Sequence, residues 1–216
     1  MSEYVKFTYE RAVSELAPFA GVVELNACRQ KLLELRVIGV DSTGTSFGNL
    51  SIRHGVTNNF HITGSGTGEI RELMLADCAK VVAFDFERNW LRYEGSTIPS
   101  SESLTHAAIY EADARAAAVI HCHDSTLWAA LLDEAPTSSN AVGYGTPEMA
   151  YETMRLFRVT NVQTRKILVM AGHEGGIVTF GRNLEEAFAV LMHERNGISP
   201  CVDSPFQERT PARYDG

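Results

Sequence analysis

The spacing of apolar and polar residues along the chain predicts helices that alternate with pairs of strands. Val22 to Arg36 carries apolar side chains close to helical spacing, which predicts an amphipathic helix. Leu50–Arg53 and Phe60–Thr63 flank a turn-rich segment, a pattern that is typical of a β-hairpin. Lys80–Phe86 and Trp90–Tyr93 predict a second hairpin in the same way.

The second half of the chain continues this alternation. The pattern predicts helices at Glu102–Ala112, Ser125–Leu132, Pro147–Phe157 and Asn183–His193, and strands at Val119–His123, Ile167–Met170 and Ile177–Phe180. Hairpins mixed with helices indicate an α+β fold rather than a doubly wound parallel sheet. We expect one domain over residues 1–196 and an irregular, proline-containing tail over residues 197–216.

Composition and charge narrow the class of protein. The chain has 216 residues, a formal net charge of −8, 44% hydrophobic residues and 21% charged residues, values that are ordinary for a globular protein. The acidic balance argues against nucleic-acid binding, and no apolar run reaches the roughly 20 residues that span a bilayer. The N-terminus lacks the features of a signal peptide and the four cysteines lack paired spacing, so we expect a cytoplasmic protein with reduced thiols.

His121-Cys122-His123 is the strongest chemical signal in the sequence. On a strand the two imidazoles project from one face, and neutral imidazole suits zinc and similar metals. The pair forms half of a metal site, or else one histidine is hydrogen-bonded in the core and the other is exposed. His173 follows a predicted strand inside a glycine-rich turn, where it is well placed to reach a cleft.

Three other histidines have simple structural explanations. His54 and His61 flank a hairpin turn, and we expect both to be solvated. His193 is near the C-terminal end of a predicted helix, where the dipole favours a cation.

Glu102 opens a predicted helix, and its role is open on spacing alone. Ser100 or Ser101 can serve as the N-cap, and an acidic residue in a first helical turn is routine. His106 shares the face of Glu102 and either supports it, packs structurally, or joins it in a two-ligand helical site.

Two glycine-rich loops, Asp41–Asn49 and Gly64–Gly68, raise the question of anion binding. Such loops often serve only hairpin geometry. Together with Ser100-Ser101 at a helix start, they offer backbone N–H groups that bind anions without a basic side chain. The three elements modestly favour a phosphate site.

Five motifs, in this order, resemble the class II aldolase/adducin family and, within it, the L-fuculose-1-phosphate aldolase-like proteins. The motifs are Gly48–Arg53, Ile62–Gly66, Pro99–Glu102, His121–His123 and His173 with the glycines that follow it. Each motif is weak alone, whereas the ordered set is a strong signal that covers about Ala27 to Arg195.

The resemblance implies a three-layer α/β/α sandwich with a mixed, mainly antiparallel central sheet. It also implies a homotetramer with active sites at subunit interfaces. A divalent metal, most often Zn²⁺, is expected on His121, His123 and His173, with Glu102 as fourth ligand and catalytic residue. The phosphate of a small-molecule substrate is expected at Asn49, Ser65, Gly66, Ser100 and Ser101.

The implied activity is that of a metal-dependent aldolase acting on a small hydroxy-ketone, a sugar phosphate, through a metal-stabilised enediolate. A divalent metal supplies Lewis-acid stabilisation, and Glu102, displaced by substrate, moves a proton. Glutamate at this position favours an aldolase, because the related ribulose-phosphate 4-epimerases carry aspartate there. A dehydratase or an epimerase with the same site stays open, as does a non-enzymatic assembly module like that of adducin, although the retained ligands argue against the module.

Three departures from the family pattern concern the proton-transfer residues. Glu174 stands between His173 and the following glycines, and we expect it to be solvated. The segment Asp124–Glu148 is short and offers no match for the tyrosine-bearing hairpin that protonates the intermediate in the sugar-phosphate aldolases. Tyr214 lies near the position of a catalytic tyrosine, but the alignment is not continuous and the role is not transferred. The metal centre is therefore predicted to be complete, and the proton donor is not identified.

Overall fold

A computed structural model describes residues 5–198 of the chain. The helices are α1 (Gly21–Glu34), α2 (Ser103–Ala112), α3 (Ser125–Leu131), α4 (Pro147–Val159), α5 (Val162–Arg165) and α6 (Leu184–Gly197), and a 3-10 turn spans Leu75–Asp77. The strands are β1 (Thr8–Arg11), β2 (Gly39–Val40), β3 (Ser46–Phe47), β4 (Asn49–Arg53), β5 (Phe60–Thr63), β6 (Cys78–Asp85), β7 (Trp90–Glu94), β8 (Ala118–His123), β9 (Ile167–Val169) and β10 (Gly176–Gly181). Each helix in this range is too short or too polar to cross a membrane.

Eight strands form one central sheet in the order β1-β7-β6-β5-β4-β8-β10-β9. Every neighbouring pair is antiparallel except β1 with β7, which is parallel. Strands β2 and β3 pair separately as a short ribbon. The predicted mixed, mainly antiparallel sheet is confirmed.

Helices cover both faces of this sheet. Buried side chains of α2, α4 and α5 form one core with the sheet, and those of α1, α3 and α6 form the other. Side chains along β8 alternate between the two, since Val119 joins the first core whereas Ile120 and Cys122 join the second. The three-layer α/β/α arrangement is therefore confirmed.

The predicted helices and strands are present, with ends that differ by a few residues. Helix α6 continues to Gly197 instead of ending at His193, which is exposed. The sequence pattern missed β1, the ribbon of β2 and β3, and α5, because these elements are short and β1 is exposed along its length. Most of the predicted tail, including Tyr214, lies outside the described residues.

The expectation of a solvated residue is wrong for His61. His54 is exposed, but His61 is buried on β5, and its ring stacks on Phe19 with centroids 3.7 Å apart. Burial first, then the nearby His54 and Lys80, lowers the pKa of His61 to about 4. Phe19 is distant in sequence, so the hairpin pattern could not reveal this contact.

Arg53 is a buried cation that ties the end of α2 to the sheet. It lies on β4 and donates to the carbonyl oxygens of Tyr110, Asp113 and Ala116 at 2.5, 2.8 and 2.7 Å. These carbonyls belong to the C-terminal end of α2 and the loop after it, where the helix dipole favours a cation.

Replacing Arg53 by methionine leaves these carbonyl oxygens unpaired in the core. We expect the free energy of unfolding to fall by about 3 kcal/mol or more, because buried groups that lose a partner are costly. Urea denaturation measures the change, and Arg92→Met is the control because Arg92 is exposed. Equal losses for the two variants would contradict the assigned role.

Candidate metal centre

His121, His123 and His173 converge at one end of the sheet, and one ligand nitrogen of each lies within 4.8 Å of the others. His121 and His123 project from the same face of β8, and His173 lies in the turn between β9 and β10. Because β10 pairs with β8, Gly176 stands opposite His123 and brings that turn beside it. The three imidazoles form a set that can hold one divalent metal ion.

The backbone fixes the orientation of the His121 ring. Its Nδ1 lies 3.2 Å from the carbonyl oxygen of Ile177 on β10. In a neutral ring, the nitrogen that faces a carbonyl oxygen carries the hydrogen, so the lone pair is on Nε2. A hydrogen bond of this kind is the usual way in which proteins orient a metal-binding histidine.

A tight turn positions the His173 ring. The N–H of His173 donates to the carbonyl oxygen of Met170 at 3.1 Å, and the N–H of Gly176 donates to the carbonyl oxygen of His173 at 2.8 Å. A Cβ at Gly176 would lie 2.8 Å from Cδ2 of His173, too close for a normal contact. Glycine at this position therefore lets the ring fold back over the turn. Glu174 is exposed, as predicted.

Burial keeps the three imidazoles neutral. It lowers the pKa of His121 well below its usual range, that of His123 to about 4 and that of His173 to about 3. His123 and His173 lower the pKa of His121 further, because neighbouring cations would repel each other. Neutral imidazole is the form that binds a metal, so these rings are ready to coordinate near pH 7.

Glu102 lines the same cavity as the three histidines but is not part of the group within 4.8 Å. Its Oε2 accepts a hydrogen bond from the Thr105 hydroxyl at 2.9 Å, and its buried Oε1 has no partner in residues 5–198. Burial raises the pKa of Glu102 to about 7, and the Thr105 hydroxyl, Lys6 and the nearby backbone N–H of Gly145, which is too poorly placed for a full hydrogen bond to Oε1, oppose the rise. An unpaired carboxylate oxygen beside neutral imidazoles fits a divalent cation such as zinc.

The possibility that Ser100 or Ser101 caps α2 is not realised, because Glu102 occupies the N-cap position and no side chain caps the helix. The N–H and the hydroxyl of Ser103 both donate to the carbonyl oxygen of Ser100, at 3.0 and 2.6 Å. This turn shifts the start of the helix to Ser103. Ser100 and Ser101 instead line the cavity.

All the residues predicted to bind phosphate border one cavity of about 850 Å³, which also contains the three histidines. These residues are Asn49, Ser65, Gly66, Ser100 and Ser101. Asn49 lies opposite His121 in the register of β4 with β8. A bridge between Gly64 and Pro99 joins the two loops that carry the serines. The sheet thus brings together motifs that are far apart in sequence.

Tyr144 is a cavity residue that the sequence analysis missed. Its ring stacks on that of His173, with centroids 4.1 Å apart. Nζ of Lys6 lies 3.1 Å from the centroid of the Tyr144 ring and donates to the carbonyl oxygen of Tyr144 at 3.1 Å. The glycines on both sides of Tyr144 were an available signal, whereas nothing in the sequence pointed to Lys6.

His106 is buried on α2 and bonded away from the three histidines. Its Nδ1 lies 2.7 Å from the hydroxyl of Ser51, which in turn lies 2.7 Å from the hydroxyl of Tyr110. Burial lowers the pKa of His106 to about 3, so the ring is neutral. This network accounts for Nδ1 of His106, whereas its Nε2 is buried without a partner among the described residues.

Glu102→Gln tests the burial of this carboxyl in metal-free protein. Because the folded-state pKa of Glu102 is raised, its contribution to stability is present below its ordinary pKa and is lost as the pH rises through about 7. Glutamine cannot ionise, so we expect the variant to gain stability over the wild type between about pH 5 and pH 8. Thermal unfolding in a chelator measures this, with exposed Glu174→Gln as control. If the unfolding temperatures of Glu102→Gln and the wild type change with pH in parallel, the carboxylate of Glu102 is not buried as described.

Comparison with known proteins identifies the family. Residues 40–195 match the model of the class II aldolase and adducin N-terminal domain. L-fuculose 1-phosphate aldolase is similar in structure, with TM-score 0.64, 24% identity and 84% of each chain covered.

Two further solved structures share the fold. The sugar-phosphate aldolase from Thermotoga maritima has TM-score 0.56 and 16% identity over 83% of this chain and 97% of its own. An aldolase II superfamily protein from Pseudomonas syringae has TM-score 0.56 and 20% identity over 81% of this chain and 73% of its own. None of the curated protein sequences compared with the chain matches it significantly. Since the family model covers most of its length, the chain belongs to the class II aldolase/adducin family.

Proposed function

We propose that this protein is a metal-dependent carbon–carbon lyase of the aldolase type, acting on a small phosphorylated hydroxy-ketone. The observation that carries the proposal is the convergence of three neutral imidazoles and a buried, unpaired carboxylate oxygen on one cavity. The structural similarity to two aldolases that act on sugar phosphates supports the same class of reaction.

His121, His123 and His173 are the proposed metal ligands, with Zn²⁺ as the proposed ion and Glu102 as fourth ligand in the resting site. Imidazole nitrogens favour zinc over magnesium or calcium, which prefer oxygen ligands. When bound, a divalent cation supplies a Lewis acid for the negative charge that develops on the ketone oxygen.

Glu102 is the proposed proton-transfer residue. Thr105 holds one carboxylate oxygen, and the other has no partner among the described residues. In aldol cleavage a base takes the hydroxyl proton and the carbon–carbon bond breaks to give an aldehyde and an enediolate. A proton delivered to the enediolate carbon then completes the ketone product, and condensation runs the same steps in reverse. The burial of Glu102 excludes bulk water that would otherwise compete for the carboxylate.

The phosphate of the substrate is proposed to bind in the same cavity, at residues whose donors are neutral. Ser65, Ser100 and Ser101 offer hydroxyls, Gly66 offers a backbone N–H and Asn49 offers an amide. Such donors bind anions without a formal charge of their own. A homotetramer and a cytoplasmic location are proposed from the family alone.

Incubation of metal-loaded protein with dihydroxyacetone phosphate and a panel of small aldehydes tests the proposed reaction. We expect a condensation product, detected by mass spectrometry. His121→Ala is expected to lose both bound metal and product, because it removes a proposed ligand. His193→Ala, which alters an exposed histidine, is expected to keep both.

The outcomes separate the alternative functions. Failure to condense any aldehyde contradicts the aldolase. Loss of water from a sugar phosphate indicates a dehydratase, and conversion without change of mass indicates an epimerase. Protein that retains no metal when purified without added zinc indicates a non-enzymatic, adducin-like module.

A further inference from the structure

The cavity proposed to bind phosphate has an unusual charge balance. None of its described lining residues is a lysine or an arginine, whereas three of them are acidic: Asp41, Glu69 and Glu102. The protein as a whole is also acidic. Besides the proposed metal ion and Lys6, which contacts the lining residue Tyr144, an anionic substrate can therefore draw only on positive charge that lies behind the cavity wall.

Arg29 on α1 is a buried cation directly behind the Gly64–Gly68 loop. Its side chain is 3% exposed and forms no salt bridge in the part of the chain that the structure describes, although Asp77 is nearby. The guanidinium instead donates to backbone carbonyl oxygens. These belong to Thr67 at 2.5 Å, Gly68 at 3.2 Å, Arg71 at 3.4 Å and Ile70.

These bonds turn the loop carbonyls towards α1. The N–H groups of Gly66 and Thr67, in contrast, have no acceptor within residues 5–198. Gly66 has φ +75°, and no atom lies within 4 Å of the place where its Cβ would be, so the space on the Cβ side of this residue is open. Gly66 and Thr67 both border the cavity. Successive N–H groups that point into a concave surface form an anion site.

Asn49 gives independent support for a ligand at this place. Its side chain is 6% exposed and borders the same cavity, yet it makes no hydrogen bond in the described region and its Oδ1 is buried without a partner. The oxygen and nitrogen of the amide can exchange places by rotation. A buried amide without a partner is costly, and a bound ligand can satisfy it.

We propose that Arg29 is the positioning residue that makes the Gly64–Gly68 loop an anion-binding loop. Its guanidinium binds the carbonyl oxygens of Thr67, Gly68 and Ile70 on the α1 side of the loop. It also places positive charge behind the N–H groups of Gly66 and Thr67, which border the cavity and have no acceptor among the described residues. The ligand class is a phosphate group carried by the substrate. This inference rests on the proposed function only for the identity of the rest of that substrate.

Arg29→Met and Asn26→Ala form a matched pair of variants. Asn26 also joins α1 to this region, because its amide exchanges hydrogen bonds with the backbone of Leu73 at 2.9 and 2.8 Å, but it carries no charge. The probe is inorganic phosphate, measured by calorimetry on metal-loaded protein. We expect Arg29→Met to weaken phosphate binding about tenfold and Asn26→Ala to change it by less than about twofold. Metal content is expected to be unchanged in both.

A second measurement needs no substitution. In the wild type, titration with phosphate should shift the backbone N–H resonances of Gly66 and Thr67 more than those of exposed loops elsewhere. Unmoved Gly66 and Thr67 resonances, or equal loss of affinity in Arg29→Met and Asn26→Ala, would overturn the inference.

The same experiments keep this inference separate from the proposed function. If phosphate fails to bind the wild type while unphosphorylated dihydroxyacetone is still condensed with an aldehyde, the anion loop is refuted and the lyase stands. If phosphate binds with the expected dependence on Arg29 but no aldehyde is condensed, the lyase is refuted and the loop stands.

Discussion

Strand β8 is packed between two helical layers, and its successive side chains point to opposite faces of the sheet. The rest of the structure depends on this alternation. Its even-numbered residues enter the core under α1, α3 and α6, so they must be apolar. Its odd-numbered residues face the other layer, where Val119 fills the core and His121 and His123 reach the cavity at the strand end. A shift of one residue in register would exchange the two sets. The candidate metal centre therefore depends on the pairing of β8 with β4 and β10.

Desolvation is the second constraint, because it sets the charge of the three histidines and of Glu102. Burial favours the neutral form of the histidines and opposes ionisation of Glu102. The buried arginines remain charged by another means, since Arg29 and Arg53 donate to several backbone carbonyl oxygens. Carbonyl dipoles satisfy a guanidinium without a carboxylate, so the positive charge of Arg29 is not cancelled by an ion pair.

The sequence allowed much of the fold to be predicted, because apolar periodicity and turn composition are local. The two hairpins and the helices from α1 to α6, except the short α5, follow from that pattern. The local sequence pattern could not predict contacts between segments that are far apart in the sequence. Examples are the stacking of Phe19 on the buried His61 and the contact of Lys6 with Tyr144. A serine cap of α2 was possible from the sequence, but a tight turn, rather than a capping side chain, precedes the helix.

For the site, ordered motifs predicted which residues gather around one cavity, but not their distances. The separation of Glu102 from the three histidines and the anchoring of the Gly64–Gly68 loop by Arg29 depend on tertiary packing.

The most direct test of the account is a crystal structure of untreated protein with the metal identified by anomalous scattering. The account predicts one peak at about 2.0–2.1 Å from a ring nitrogen of each of His121, His123 and His173. A metal bound elsewhere, or a group of three histidines without metal in zinc-saturated crystals, would contradict it.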